Sequence, residues 1–223
     1  MEIKYSKIHK YDIGYTNKQE FDILKDEIFN QEIYKLDLKT NSPIIFDLGS
    51  HIGLSILYFK MSYPNAKIVG FEPNPNVFPL LEENIYCNNL QDTELHNIAL
   101  GNTNEIRQFY IDSQYDAFST ASFKPNAWNG KQNTTKISVK TEKLSRYITE
   151  DIDLLKMDIE GAEKEVLTEL EEENKLKYIK NIIIECHNTN VSDILRRNGF
   201  EISERSDTEE KDLIYILGKN TPK

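Results

Sequence analysis

The run Pro43-Ile44-Ile45-Phe46-Asp47-Leu48-Gly49 constrains the fold more than any other stretch of the chain. It is apolar without alternation and bounded by Pro and Gly, the pattern of a parallel strand buried on both faces. Ser50-His51-Ile52-Gly53 follows, then Leu54, Leu57, Tyr58 and Met61 at helical spacing. A second strand, Lys67-Ile68-Val69-Gly70-Phe71, ends on Glu72-Pro73-Asn74-Pro75. Strand, glycine turn, helix, strand and acid make the βαβ layout that holds dinucleotide-type ligands. Gly49 and Gly53 let backbone approach a ligand closely, and Glu72 is placed to hold two ribose hydroxyls.

The turn departs from the phosphate-binding fingerprint G-x-G-x-x-G, which needs a glycine where His51 stands. Its pattern is D-x-G-x-x-x-G, with Asp47 ahead of the turn. A carboxylate beside a pyrophosphate repels it, whereas beside an ammonium or a sulfonium it attracts. The turn therefore favours S-adenosylmethionine over NAD, with a ligand-free Rossmann-type turn as the plain alternative. Asp47, Gly49, Ser50, His51, Gly53, Glu72 and Pro73 are the candidate cofactor residues on this stretch.

At 223 residues the chain suits one sizeable core rather than two α/β domains. Residues 1–41 read as a helical extension: Tyr11 to Tyr15 is a short strand or turn, and Asn17 caps a helix carrying Phe21, Leu24, Ile28 and Phe29. Such a helix serves either as a lid or as plain core covering. After Glu72 a helix over 75–87 is predicted, burying Val77, Leu80, Leu81 and Ile85, with Pro75 and Pro79 near its first turn. A third strand over 94–100 ends at Gly101 beside the adenine pocket, which makes Asn97 and Ala99 candidate adenine contacts. Asn97 equally suits a turn.

Residues 102–143 break the alternation. Ile106 to Ile111 and Lys136 to Thr141 read as two strands of an antiparallel insertion around a long polar loop, 112–135. The fourth sheet strand, Ile152 to Met157, runs into Asp158-Ile159-Glu160-Gly161-Ala162-Glu163. The helix after it buries Ala162, Val166, Leu167 and Leu170, while Glu163, Glu169 and Glu171 to Glu173 read as its solvated face. Ile182 to Ile184 form a fifth strand closing on Glu185-Cys186-His187. A helix with Val191, Ile194 and Leu195 stops at Gly199, and 200–203 with 213–217 form an antiparallel hairpin. The fold class expected is α/β and Rossmann-like, a mostly parallel seven-stranded sheet with a C-terminal antiparallel hairpin, one domain over 42–223.

The net charge of −10 argues against a nucleic-acid partner, because phosphate contacts need clustered Lys and Arg. No apolar run is long enough to span a membrane, and the first residues lack the apolar core of a signal peptide. Cys87 and Cys186 stand far apart with no ligand spacing, and Cys186 sits in an apolar strand as a core residue. A reducing cytoplasm fits this usage.

Ligands of such sheets bind at the carboxyl ends of the strands. Asp47, Glu72, Asn97, Asp158, Glu160 and His187 collect there. Asp158 and Glu160, two apart around a tight turn, fall close to the reacting group. His187 either shares their space or caps the strand end.

Asp47 to Gly53, Phe71-Glu72-Pro73 and Leu155-Lys156-Met157-Asp158-Ile159-Glu160-Gly161-Ala162-Glu163 resemble the FkbM-type methyltransferases. That family carries a D-x-G-A-N-x-G turn, an acid after the second strand and a K-x-D-x-E-G-A-E segment, and the likeness covers roughly residues 43 to 187. Ser119 to Ser122 is similar to the family's serine-containing loop, and Lys140 to Leu144 to the strand leading into the fourth core strand. Ser50-His51 replaces the usual Ala-Asn, and Ser145 stands where the family often has Asp. The resemblance implies a class I methyltransferase fold and O-methylation of a hydroxyl on a small-molecule or carbohydrate acceptor, with S-adenosylmethionine as cofactor. It implies Asp158 or His187 as the group taking the hydroxyl proton, Glu160 shaping the site, and Ser119 and Ser122 as acceptor contacts. No resident metal is expected, although Asp158, Glu160 and His187 are of ligand type. Two alternatives are an NAD- or nucleotide-dependent Rossmann enzyme and a non-catalytic binding module. The pattern leaves the oligomeric state open.

Overall fold

Continuous apolar strands need two covering layers, and the main sheet has them. The computed structural model describes residues 2–112, 122–123, 134–187, 189–206 and 213–220. Its seven-stranded sheet contains β3 (Ile44–Leu48), β4 (Lys67–Phe71), β5 (Thr93–His96), β9 (Leu154–Met157), β10 (Asn181–His187), β11 (Phe200–Ser206) and β12 (Leu213–Asn220), in the order β11-β12-β10-β9-β3-β4-β5. Ile45, Leu154 and Ile183 point into one apolar cluster, and Phe46, Leu48, Leu155, Met157, Ile182 and Ile184 into the other. Each inner strand thus buries both of its faces.

The first cluster lies under α1 (Lys18–Lys25), α2 (Leu54–Ser62) and α3 (Phe78–Cys87), and the second under α4 (Glu163–Glu172) and α5 (Ser192–Arg197). α2 is buried on every side from Leu54 to Lys60. The Lys60 ammonium is satisfied by the carbonyls of Ala66, at 2.5 Å, and Gln91. The chain moves outward from β3 through β4 to β5, then returns to β9 on the other side. That reversal puts the switch point between β3 and β9, where a cleft opens at the carboxyl ends.

β12 alone runs against its neighbours, pairing antiparallel with both β10 and β11. This is the expected C-terminal hairpin. The expected insertion is also present, as β7 (Glu105–Asp112) antiparallel to β8 (Thr134–Lys143).

Four expectations are corrected. The N-terminal extension is not only helical: β1 (Lys4–Ile8) and β2 (Tyr11–Tyr15) pair as a hairpin before α1. The Asn17 cap holds, its Oδ1 accepting the Glu20 N–H at 3.1 Å, and α1 widens into a π turn over Asp26–Asn30. The third strand is two strands, because the chain leaves the sheet after β5 and β6 (Ala99–Gly101) pairs with β8 instead. Asn97 makes that corner by donating to the Glu72 carbonyl at 2.8 Å, while Ile98 turns into the second cluster. α3 starts at Phe78, three residues late. Finally, Glu163 and Glu169 are 0% and 1% exposed, not solvated. Glu169 accepts the Ser145 N–H at 3.3 Å, and Glu163 serves the site described below.

No helix among the described residues is long and apolar enough to cross a membrane. Cys186 is buried in the second cluster as expected, and Cys87 is exposed.

Candidate active site

The turn after β3 uses left-handed backbone at Gly49, His51 and Gly53, with φ of 82°, 47° and 92°. The N–H groups of Gly49 and Ser50 both donate to the Phe71 carbonyl at 3.0 Å, which pins the turn to the end of β4. The His51 N–H then reaches Glu72 Oε2 at 2.9 Å, and the Asn74 N–H reaches Oε1 at 2.8 Å. Both carboxylate oxygens of Glu72 are therefore aimed before any ligand arrives. Burial raises the Glu72 pKa above the ordinary carboxylate value, against the pull of the His51 ring and the two N–H donors.

Beneath the turn lies a buried ion pair. Asp47 is fully buried, its Oδ2 accepting Ser55 Oγ–H at 2.6 Å and its Oδ1 standing 3.2 Å from Lys156 Nζ. Lys156 also donates to the Gly49 carbonyl at 2.7 Å, and its Nζ lies 5.6 Å from the centre of the Tyr34 ring. Burial opposes the lysine's charge, but Asp47, Asp158 and Glu185 outweigh it and hold its pKa above the usual value.

A second left-handed turn follows β9, with φ of 57° at Glu160 and 96° at Gly161. The Asp158 N–H donates to the Leu48 carbonyl at 3.0 Å, and the Gly161 N–H to Glu163 Oε1 at 2.8 Å. Glu163 Oε1 also lies 3.2 Å from His187 Nδ1. The opposite ring nitrogen, Nε2, has Glu160 Oε2 at 3.5 Å and Glu185 Oε1 at 3.6 Å. Burial works against a charged His187, yet the hydrogen bonds to Glu163 and Glu185 and the charges of Glu160 and Asp158 push its pKa up to about 12. Burial likewise lifts Glu160 well above the ordinary range and raises Glu185; in both cases Asp158 adds to the rise and His187 opposes it.

Two clefts open over these turns. One, with an empty volume of about 510 Å³, has Ile98, Ala99 and Leu100 as an apolar wall and Glu72, Asp158 and Glu160 as its acids. Apolar walls with a few convergent polar groups are the make-up of small-ligand sites. The other runs from Leu24, Ile28 and Tyr34 to Gly49, Lys156 and Asp158, so the N-terminal segment both covers core and walls the cleft. A larger open groove, bordered by Lys39, Lys177 and Arg197, lies at the opposite strand ends, away from the glycine turn and the acids.

Comparison with known proteins decides the family: the profile of the methyltransferase FkbM domain matches residues 47–203. The chain belongs to the FkbM methyltransferase family. It is 29% identical to Methyltransferase 1 of Beauveria bassiana, over 90% of each chain. It is 24% identical to the 31-O-demethyl-FK506 methyltransferase FkbM of Streptomyces tacrolimicus, over 87% of each. Among solved structures it resembles an FkbM methyltransferase from Methylobacillus flagellatus, with a TM-score of 0.57 at 15% identity. That likeness covers 80% of this chain but only 44% of the other. The precorrin-6y C5,15-methyltransferase of Geobacter metallireducens gives 0.55 at 14% identity over 95% of each chain. The fold is that of the class I methyltransferases.

In this FkbM-family methyltransferase the predicted residues fall in different places. Gly49, His51, Glu72, Pro73, Ala99, Asp158 and Glu160 line the first cleft, and Ser50 the second. Asp47, Gly53 and Asn97 line neither. The Asp47 carboxylate is turned beneath the floor towards Lys156, where it supports the turn. Gly53 starts α2, its N–H donating to the Ser50 carbonyl at 2.8 Å, and Asn97 makes the corner after β5. Ser122 is buried, and its Oγ donates to the Glu160 carbonyl at 2.8 Å, which docks the insertion onto the second turn. Ser119 lies outside the described residues. His187 stands behind Glu160, held by Glu163. Lys156, Glu163 and Glu185 carry no site role in the sequence pattern. Alternation along a strand was the available signal for two of them: Lys156 shares a face with Asp158, and Glu185 with His187.

Proposed function

We propose that this methyltransferase takes its methyl group from S-adenosylmethionine and passes it to a hydroxyl of a small-molecule or carbohydrate acceptor. The observation that carries this reading is the Glu72 carboxylate, fixed by the His51 and Asn74 N–H groups beside the apolar wall of Ile98, Ala99 and Leu100. A carboxylate held this way accepts hydrogen bonds from a ribose diol, and the wall suits an adenine ring. Asp47 is neutralised by Lys156, so the preference for a cationic ligand over a pyrophosphate rests on Glu72 and Asp158. No nucleic-acid partner is implied, and the two free thiols favour a reducing cytoplasm.

When bound, the cofactor supplies an electrophilic methyl on a sulfonium. Asp158 lines both clefts with its side chain 27% exposed, which makes it the carboxylate open to an acceptor. With the cofactor bound, Asp158 would take the proton of the acceptor hydroxyl as that oxygen is methylated. His187, surrounded by Glu160, Glu163 and Glu185, positions Glu160 rather than meeting the acceptor. Leu24, Ile28 and Tyr34 form the wall past which the acceptor enters. The Streptomyces relative is named for methyl transfer to 31-O-demethyl-FK506, which supports an oxygen acceptor on a small molecule.

Titration calorimetry with S-adenosylmethionine, S-adenosylhomocysteine and NAD in parallel, then labelled-methyl transfer over a panel of hydroxylated acceptors, tests the reading. Saturable binding of the first two and label in an acceptor are expected. Binding of NAD alone overturns it.

A further inference from the structure

Asp158, Glu185 and His187 each bring one ligand atom to within 4.8 Å of the other two. Ligand atoms around a single ion, at about 2.0–2.3 Å from it, stand no more than about 4.6 Å apart. The three side chains converge on one space and need only draw closer to share an ion.

Three further features point the same way. Glu163, wholly buried, places Oε1 3.2 Å from His187 Nδ1. A carboxylate behind one imidazole nitrogen fixes the ring and directs the other nitrogen forward, the arrangement found behind metal-bound histidines. Glu160 Oε2 is closed off from solvent, accepts no hydrogen bond, and stands 3.5 Å from that forward nitrogen; Glu163 Oε2 is also solvent-inaccessible and accepts none. Acidic groups outnumber basic ones as well. Asp158, Glu160, Glu163 and Glu185 gather four carboxylates around two basic side chains, His187 and Lys156, and Lys156 is already engaged by Asp47. A divalent cation favours the ionised form of carboxyls that burial otherwise keeps protonated.

We propose that Asp158, Glu185 and His187 bind one divalent cation of the Mn²⁺ class, with Glu160 completing the protein's share of the shell. Two or more carboxylates with one imidazole suit an ion that accepts both oxygen and nitrogen, and leave positions open. The role of the ion rests on the methyl-transfer reading: an open position beside Asp158 takes the acceptor's hydroxyl oxygen and lowers its pKa. One oxygen of Asp158 ligates, and the other remains for the proton.

The test is a titration of Mn²⁺ into the full chain followed by electron paramagnetic resonance, with S-adenosylhomocysteine affinity measured on the same samples. The free-ion signal should stay suppressed until one equivalent is added. His187→Gln and Glu185→Gln should each weaken binding about 10- to 100-fold, with circular dichroism and S-adenosylhomocysteine affinity unchanged. Should either variant fail to fold, the wild-type stoichiometry and competition by Mg²⁺ or Zn²⁺ still decide. A free signal growing from the first addition, or variants that bind as tightly as wild type, overturns the site. Normal S-adenosylhomocysteine binding without Mn²⁺ binding sinks this inference alone. Mn²⁺ binding without S-adenosylhomocysteine binding sinks the methyl-donor reading and leaves the site standing.

Discussion

Asp47 Oδ1 and Lys156 Nζ stand 3.2 Å apart, with both side chains closed to solvent. Because the same ammonium holds the Gly49 carbonyl and lies 3.9 Å from Asp158 Oδ2, one lysine ties the first strand-end turn to the second. Removing one partner of a buried pair leaves an uncompensated charge, at a cost of about 3–5 kcal/mol. Lys156→Ala is expected to lose that much in urea unfolding, and the double change Asp47→Asn with Lys156→Met to recover most of it. A single variant as stable as wild type would show that the pair does not hold the floor.

Gly49 is required by the backbone whatever ligand binds over it. A β-carbon there would stand 1.8 Å from the Asp158 carbonyl oxygen, and φ is 82°. At Gly53 the nearest atom is the mobile end of Leu81, at 2.9 Å. Left-handed strain costs about 1–2 kcal/mol and overpacking a further 1–3. Gly49→Ala should therefore lower the melting temperature clearly more than Gly53→Ala. Equal melts for the two would refute the close approach of the turns.

Glu72→Ala should weaken S-adenosylhomocysteine binding by about 1.5–3 kcal/mol, the range for hydrogen bonds to a charged group. The loss should appear in calorimetry on a variant that circular dichroism shows to be folded. Unaltered affinity in a folded variant would remove Glu72 from the site.

The Glu171–Arg197 pair gives a pH signature. Hydrogen bonds from Arg197, and from Asn198 at 2.6 Å, hold the Glu171 carboxyl down to about 2. A depressed carboxylate contributes stability above its unfolded pKa, near 4.5, and loses it as pH falls through about 2. Arg197 is 55% exposed, so solvent screening limits the effect to about 1 kcal/mol. Glu171→Gln should melt a few degrees below wild type at pH 6, with the gap closing between about pH 4.5 and 2. A gap that persists at pH 2 would assign the effect to packing instead.

The central βαβ unit was legible because burial on both faces writes itself as continuous apolar strands, and because turn glycines and strand-end acids follow at fixed intervals. The break at Asn97 was not, since residues 94–100 read as one strand until the neighbour of Ala99 is known to be Thr141. Glu163 and Glu169 read as solvated because charge at helical spacing normally faces water. Their partners, His187 and the Ser145 N–H, arrive from elements 24 residues away in each case. The partner of Asp47 was hidden for a related reason: the cation it meets is supplied by β9, a separate strand.

The chemistry itself turns on Asp158. Its N–H is committed to the Leu48 carbonyl, so the backbone is fixed and the carboxylate is carried to where the two clefts meet. Asp158→Asn keeps that shape while removing the proton acceptor. S-adenosylhomocysteine affinity should stay within about threefold, because the ribose and adenine contacts lie on Glu72 and the apolar wall. Turnover at saturating cofactor should fall by roughly two orders of magnitude or more. His187→Gln separates support from chemistry. It leaves the carboxylate in place but unseats Glu160, so a smaller fall in turnover is expected than for Asp158→Asn. If instead Asp158→Asn turns over within threefold of wild type on a good acceptor, proton removal is not carried by this side chain. The acceleration would then come from holding the hydroxyl oxygen in line with the methyl group.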